Sequence, residues 1–240
     1  MQKLFIDYTP ENEIILDGEQ ARHIARSLRM KKGDMLIVND SKGNDFGCII
    51  EEITKETVRL SVCYQQASDC EPDCKVRIYQ ANPKGSKIED IIQKCVELGV
   101  FDITPVLTAR CVSRPDEKSA KKKTERYNKI ALEAAQQSGR GIVPKVNGLI
   151  PLKQAVREDD SEVKIVFYEG GGAPLRELVG ENTKSVSIYI GPEGGFEKEE
   201  VDLIVSNGAS AATLGKRILR TQTAPVAALS AIMLITNNLE

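Results

Sequence analysis

From Lys75 onward the chain alternates short β-branched apolar runs with longer stretches of helical period, and two of the strand-to-helix junctions are rich in glycine. The pattern predicts strands at 75–81, 102–107, 162–168, 184–190 and 210–214, with helices at about 85–98, 117–138, 197–207 and 223–238. Such alternation specifies an α/β fold with a mainly parallel sheet covered by helices. Sheets of that kind bind ligands at the carboxyl ends of their strands, where backbone N–H groups point outward and glycine lets a ligand approach the main chain.

The first junction, I-G-P-E-G-G-F from Ile190 to Phe196, follows the apolar run Ser185–Tyr189 and precedes E-K-E-E-V-D-L-I, whose early acids suit a helix N-terminus. The second, L-G-K-R-I-L-R-T-Q-T-A from Leu214 to Ala224, repeats the arrangement after the short strand at 210–214. Neither contains G-x-x-x-x-G-K-[ST] or G-x-G-x-x-G, which argues against a P-loop and against a dinucleotide-binding turn. An ordinary strand-to-helix turn is the plain alternative to a cofactor cradle.

The first seventy residues read differently. Candidate strands at 2–6, 34–39, 45–53 and 56–64 surround one short helix at 18–28, and the polar, proline-containing stretch at 68–73 reads as a linker. Two domains follow, 1–70 and 74–240. On the short helix Ala21, Ile24, Ala25 and Leu28 mark a packing face, while Arg22, Arg26 and Arg29 fall at i, i+4 and i+7 on another. That face is either a solvated basic surface or a row of phosphate contacts. His23, the chain's one histidine, adjoins it, and a polar surface or packing role stands beside a catalytic one.

Composition adds bounds. With 41% apolar and 28% charged residues the chain is an ordinary globular protein, and a net charge of −2 conceals basic patches at Ala21–Lys32 and Lys118–Lys145. No apolar segment is long enough to span a bilayer and no secretory signal is legible, so a cytoplasmic location is expected. Six irregularly spaced cysteines read as reduced thiols, and Cys70-x-x-x-Cys74 lacks the second pair or histidine that a metal site needs, so no metal is expected.

The pairing of G-P-E-G-G-F with L-G-K-R-I-L-R-T resembles the SPOUT superfamily of RNA methyltransferases. H-I-A-R-S-L-R-M at 23–30, I-Q-K-C-V-E-L-G-V at 92–100, I-T-P-V at 103–106 and Q-S-G-R at 137–140 narrow the resemblance to the RsmE-type enzymes that methylate N3 of a uracil in 16S ribosomal RNA. The resemblance implies a SPOUT α/β-knot, with a deep C-terminal trefoil knot whose two loops enclose S-adenosylmethionine. It also implies a small N-terminal PUA-like β-barrel that grips RNA, a small ribosomal subunit or its 16S RNA as partner, and a homodimer packed through knot elements. The almost wholly apolar segment at 226–235 suits such a dimer or deep burial within one chain.

Carried onto this sequence, the resemblance implies cofactor contacts from Tyr168, Ile190, Gly191, Glu193, Gly194, Gly195, Leu214, Gly215, Ile218, Leu219 and Thr223. For RNA it implies Lys3, Arg22, Arg26, Arg29, Lys84 and Arg140. Arg220 is the catalytic candidate, because a guanidinium stabilises negative charge on uracil O2 or O4 without being able to act as base. Glu193 reads as a loop brace, and the base that takes the N3 proton has no candidate. The family's usual glutamate is replaced by Gln222 and its frequent glutamate by Gln136, and Lys3 stands for its usual arginine. Gln222 keeps a hydrogen-bond acceptor and loses a proton acceptor. The alternatives are an RNA-binding assembly factor that has lost methyl transfer and a SPOUT enzyme with another RNA target.

Overall fold

The computed structural model describes residues 3–239 and divides into two compact units, one gathering the chain up to Glu71 with Ala135–Val143, the other Pro72–Ala134 with Pro144 onward. The strand expected at 2–6 starts at Gln2, outside the described residues. In the first unit β1 (Lys3–Phe5), β2 (Glu13–Asp17), α1 (Gly18–Arg22), β3 (Met35–Asn39), β4 (Asn44–Ile53) and β5 (Thr57–Ala67) follow in order. Their sheet runs β1-β3-β4-β5-β2, with β1 parallel to β3 and every other pairing antiparallel.

Register shifts at Gly47/Cys48 and Ile50/Glu52 curl the long β4–β5 pair. Gly47 is required there, since a Cβ at that position would lie 2.1 Å from the Tyr64 ring that crosses it. The concave side is filled by Leu4, Ile14, Leu36, Phe46 and Leu60, joined by Ala21 and Ile24 from the helical segment. Large apolar side chains buried this fully contribute roughly 1.5–3 kcal/mol each.

That segment is not one α-helix. After α1 the chain makes a π turn over His23–Ser27, closed by the Leu28 N–H on the His23 carbonyl at 3.0 Å, and Arg29 follows with φ +53°. The expected i, i+4, i+7 row is therefore broken by a wider turn, although Arg22, Arg26 and Arg29 are all exposed.

Two expected RNA contacts are corrected within this unit. Lys3 is 6% exposed and its ammonium lies 2.8 Å from Asp45, so it braces the sheet edge. Arg140 is 4% exposed; its Nη2 is 2.5 Å and its Nε 3.1 Å from the Glu71 carboxylate, which also accepts the N–H groups of Gly141 and Ile142. Burial and a paired fork make Arg140 the fastening of the 135–143 segment, not an exposed cation.

In the second unit β6 (Lys75–Ala81), α2 (Lys87–Glu97), β7 (Asp102–Leu107), α3 (Glu117–Ser138), β8 (Lys145–Val146), β9 (Ile150–Pro151) and α4 (Leu152–Glu158) come first. They are followed by β10 (Val163–Phe167), β11 (Ala173–Pro174), α5 (Leu175–Leu178), β12 (Ser185–Ile190), α6 (Lys198–Ser206), β13 (Ser210–Thr213) and α7 (Ala224–Ile235). All sheet pairings are parallel, in the order β11-β13-β10-β12-β6-β7-β8, with β9 also on β7.

From β13 the chain returns across the carboxyl ends of β10 and β12 to lay α7 against α2, β12 and β6. Leu229, Ile232 and Met233 of α7 are fully buried within the chain, whereas Leu234 is 55% exposed. Among the described residues no helix is long and apolar enough to cross a membrane, and all six cysteines are free thiols.

Candidate active site

The carboxyl ends of β10, β12 and β13 open into a cleft of about 560 Å³, within the size range of small-molecule sites. Three strand-end loops and one lysine wall it: Phe167–Glu169, the turn after β12, Thr213–Gln222 and Lys87 of α2. Of the residues expected at a cofactor, Tyr168, Ile190, Gly191, Glu193, Gly195, Leu214, Gly215, Ile218 and Leu219 line it, and Arg220 stands with them. Gly194 and Thr223 do not. The Gly194 carbonyl accepts from Arg110 Nη1 at 2.5 Å on the outer side of the turn, and Thr223 starts α7 with its N–H on the Arg220 carbonyl at 2.8 Å.

The turn after β12 is shaped by close approaches. A Cβ on Gly191 would come within 3.1 Å of the Gly195 backbone, and Gly195 itself has φ +70° with its Cα directed at Glu169. A Cβ there would lie 2.8 Å from Glu169 Oε2. The end of the turn is fixed by a capping box in which Glu197 and Glu200 exchange hydrogen bonds with each other's backbone, and Arg110 grips the Glu197 carboxylate at 2.8 Å.

Glu193, at the tip, accepts from Lys87 Nζ at 2.7 Å and from the Lys84 N–H at 3.1 Å. Partial burial works against its charge, but these donors outweigh burial and hold the carboxyl below its ordinary range. A carboxylate so engaged is a brace. Lys84 thus meets the turn through its backbone, and its side chain is exposed.

The second loop offers unused donors. Among the described residues the backbone N–H groups from Lys216 to Gln222 make no hydrogen bond, and the exposed side chains of Lys216, Arg217 and Arg220 have no partner. A salt bridge for Arg220, the plain alternative to a substrate role, is thereby absent. Thr221, 6% exposed, donates its hydroxyl proton to the Gly191 carbonyl at 2.8 Å and ties the two loops together.

Sequence reasoning missed Glu169, Lys87 and Thr221 as site residues. A signal for Glu169 was present: Y-E-G-G-G at 168–172 is a third strand end followed by glycines.

A family profile described as "RNA methyltransferase domain" matches residues 70–233, and one described as "RNA methyltransferase PUA domain" matches residues 16–63. The ribosomal RNA small subunit methyltransferase E of Bacillus subtilis is 38% identical, over 97% of this chain and 96% of its own length. The chain belongs to the ribosomal RNA small subunit methyltransferase E family. Solved structures agree along the whole length. The Neisseria gonorrhoeae member of this family bound to S-adenosylmethionine superposes with a TM-score of 0.90 at 28% identity, covering 98% of this chain and 97% of its own. A Legionella pneumophila putative methyltransferase, also in complex with this cofactor, gives 0.88 at 31% identity, covering 97% and 96%. The curled first unit is the family's PUA-like domain, and the parallel sheet with its crossing C-terminal segment is its α/β methyltransferase domain.

Proposed function

We propose that this chain transfers a methyl group from S-adenosylmethionine to N3 of a uracil in 16S ribosomal RNA. The observation that carries the reading is Arg220, exposed and unpartnered on the wall of a cleft whose opposite loop is closed by glycines.

The residues present fit the cofactor. The free N–H groups of 216–222 are donors for adenine, Ile190 and Leu219 are apolar walls, and Glu169 places a carboxylate where a sulfonium or ribose hydroxyl is favoured. Gly195 leaves open the space that any side chain would fill. When bound, S-adenosylmethionine supplies an electrophilic methyl carbon.

The chain's own task is to receive uracil and favour its N3 anion. Arg220 does so by placing a fixed positive charge and a planar set of donors where O2 or O4 gains charge as the N3 proton leaves. Held in line in the cleft, the two partners lose charge toward the transition state as the methyl group is transferred. Glu193 is not offered as the base, because Lys87 and the Lys84 N–H engage its carboxylate and lower its affinity for a proton.

RNA contact is assigned to the exposed Arg22, Arg26 and Arg29 of the first unit, and to Lys84 beside the cleft. A homodimer is assigned to the stripe of α7 left uncovered within one chain, where Leu234 is 55% exposed and Ala227 and Ala231 are half-buried. The cytoplasm, where ribosomal RNA is made and modified, is its expected place.

One observation favours the binding-factor reading: Gln222, half-buried on the cleft wall, has no carboxylate to take a proton. The same experiment separates the two. Small-subunit RNA from cells with and without the protein is digested to nucleosides; 3-methyluridine should be present only with it. RNA equally methylated in both would leave the chain as a binding factor.

A further inference from the structure

At the carboxyl end of β6, directly opposite Ile190 in the sheet register, stands a polar side chain with no access to solvent: Gln80 is 0% exposed. Its Nε2 faces three acceptors, the Ala81 carbonyl at 3.0 Å, Thr221 Oγ1 at 3.1 Å and the Gly191 carbonyl at 3.5 Å. That surrounding fixes the amide's orientation, since the reverse setting would place Oε1 against two carbonyls.

The order of donors is fixed as well. A threonine hydroxyl has one proton, and Thr221 gives it to the Gly191 carbonyl at 2.8 Å. It therefore meets Gln80 as an acceptor, and only a donor at position 80 completes the chain. Gln80, Thr221 and Gly191 form a one-way relay joining residues 141 positions apart in sequence. It is buried, where each such bond is electrostatically stronger than in water and an unmet partner is correspondingly unfavourable.

We infer that Gln80 is a positioning residue for the methyl-transfer site, setting the spacing between the two cleft loops through Thr221. The inference rests on the methyltransferase reading of the cleft. Thr221 adjoins Arg220, whose carbonyl also accepts the N–H groups of Thr223 and Ala224 at the start of α7. With its neighbour tied to Gly191 and its own carbonyl tied to α7, Arg220 has its backbone held from both sides. Preorganisation of that kind decides whether a charge meets the reacting atoms or hovers near them.

The test replaces Gln80 with leucine, similar in size and without a donor, and Thr221 with valine, serine, or valine combined with Gln80→Leu. Hydrogen exchange of the Gly195, Thr223 and Ala224 amides, all hydrogen-bonded in these loops, is followed in the protein without ligand. Single-turnover methyl transfer at saturating cofactor is measured beside it. Gln80→Leu and Thr221→Val should each speed exchange and slow transfer about tenfold, and the double variant should go no further than the stronger single one. Thr221→Ser, which keeps the hydroxyl, should retain the exchange protection that valine loses.

Wild-type protection in Gln80→Leu, or effects that multiply in the double variant, would overturn the inference. Should Gln80→Leu fail to fold in a thermal melt, the serine and valine variants decide: equal protection in both overturns it. Wild-type protein that binds no S-adenosylhomocysteine would instead sink the functional reading, and exchange would still report on the relay.

Discussion

Lys87 Nζ lies 2.7 Å from Glu193 Oε1, an ion pair that pins the tip of the glycine turn to the first turn of α2. Because Glu193 titrates below its ordinary range when folded, the stabilisation is fully present above the value of an unfolded chain, near 4.5, and is lost as pH falls through the lower folded value. Affinity for S-adenosylhomocysteine should therefore hold at neutral pH and weaken only as acidification carries Glu193 through its lowered folded value, below the ordinary glutamate range. Glu193→Gln should flatten that dependence. Calorimetric titrations across the range check it, and an identical acid limb in the glutamine variant would assign the dependence to another group.

Gly195→Val should abolish cofactor binding while the thermal melt stays cooperative. The left-handed φ of +70° disfavours any β-branched residue, and the added atoms meet the Glu169 carboxylate. Titration calorimetry beside circular dichroism tells loss of the site from loss of the fold.

For Arg220→Ala, single-turnover methylation of saturating substrate should drop about a hundredfold or more, the scale of one preorganised electrostatic donor, with cofactor affinity little changed. Arg220→Lys should recover part of the rate, since lysine keeps charge and loses the planar fork. A rate near wild type in the alanine variant would return Arg220 to a structural role.

Replacing Arg22, Arg26 and Arg29 together should weaken RNA binding and lower its dependence on salt, because each phosphate contact acts through counterion release. Cofactor affinity should stay constant. Binding isotherms at several salt concentrations give the slope, and an unaltered slope makes this face ordinary solvated surface.

Arg140→Ala should destabilise the first unit by about 3 kcal/mol, since it leaves the Glu71 carboxylate without its fork in a partly buried site. Removing both partners should be less harmful than removing Arg140 alone. Chemical denaturation of the three variants measures the difference.

Legibility followed the range over which the sequence carries a signal. Long periodic elements were plain: β6, β7 and α3 have the expected bounds, and the glycine junctions sit at strand ends as read. β2 was missed, although Ile14 and Leu16 alternate with exposed neighbours, because Ile15 between them is apolar and hides the period. α4 has seven residues, and β8, β9 and β11 have two each, too few to repeat. Partnerships across the chain were invisible for a different reason. That Arg140 would be buried depends on Glu71, and that Lys3 would be buried depends on Asp45, neither of which lies near it in sequence. The same holds for Gln80, which reads locally as one more polar residue in a strand.

The crossing from β13 to α7 sets a timetable for the newborn protein. Synthesis runs from the N-terminus, so the first unit and most of the parallel sheet emerge while the second cleft loop is still unmade. Thr221 and Arg220 are translated long after β6, and Gln80 waits for its acceptor through 141 further positions. A chain interrupted just after β13 would carry the exposed arginines of its first unit and most of a sheet but no complete pocket.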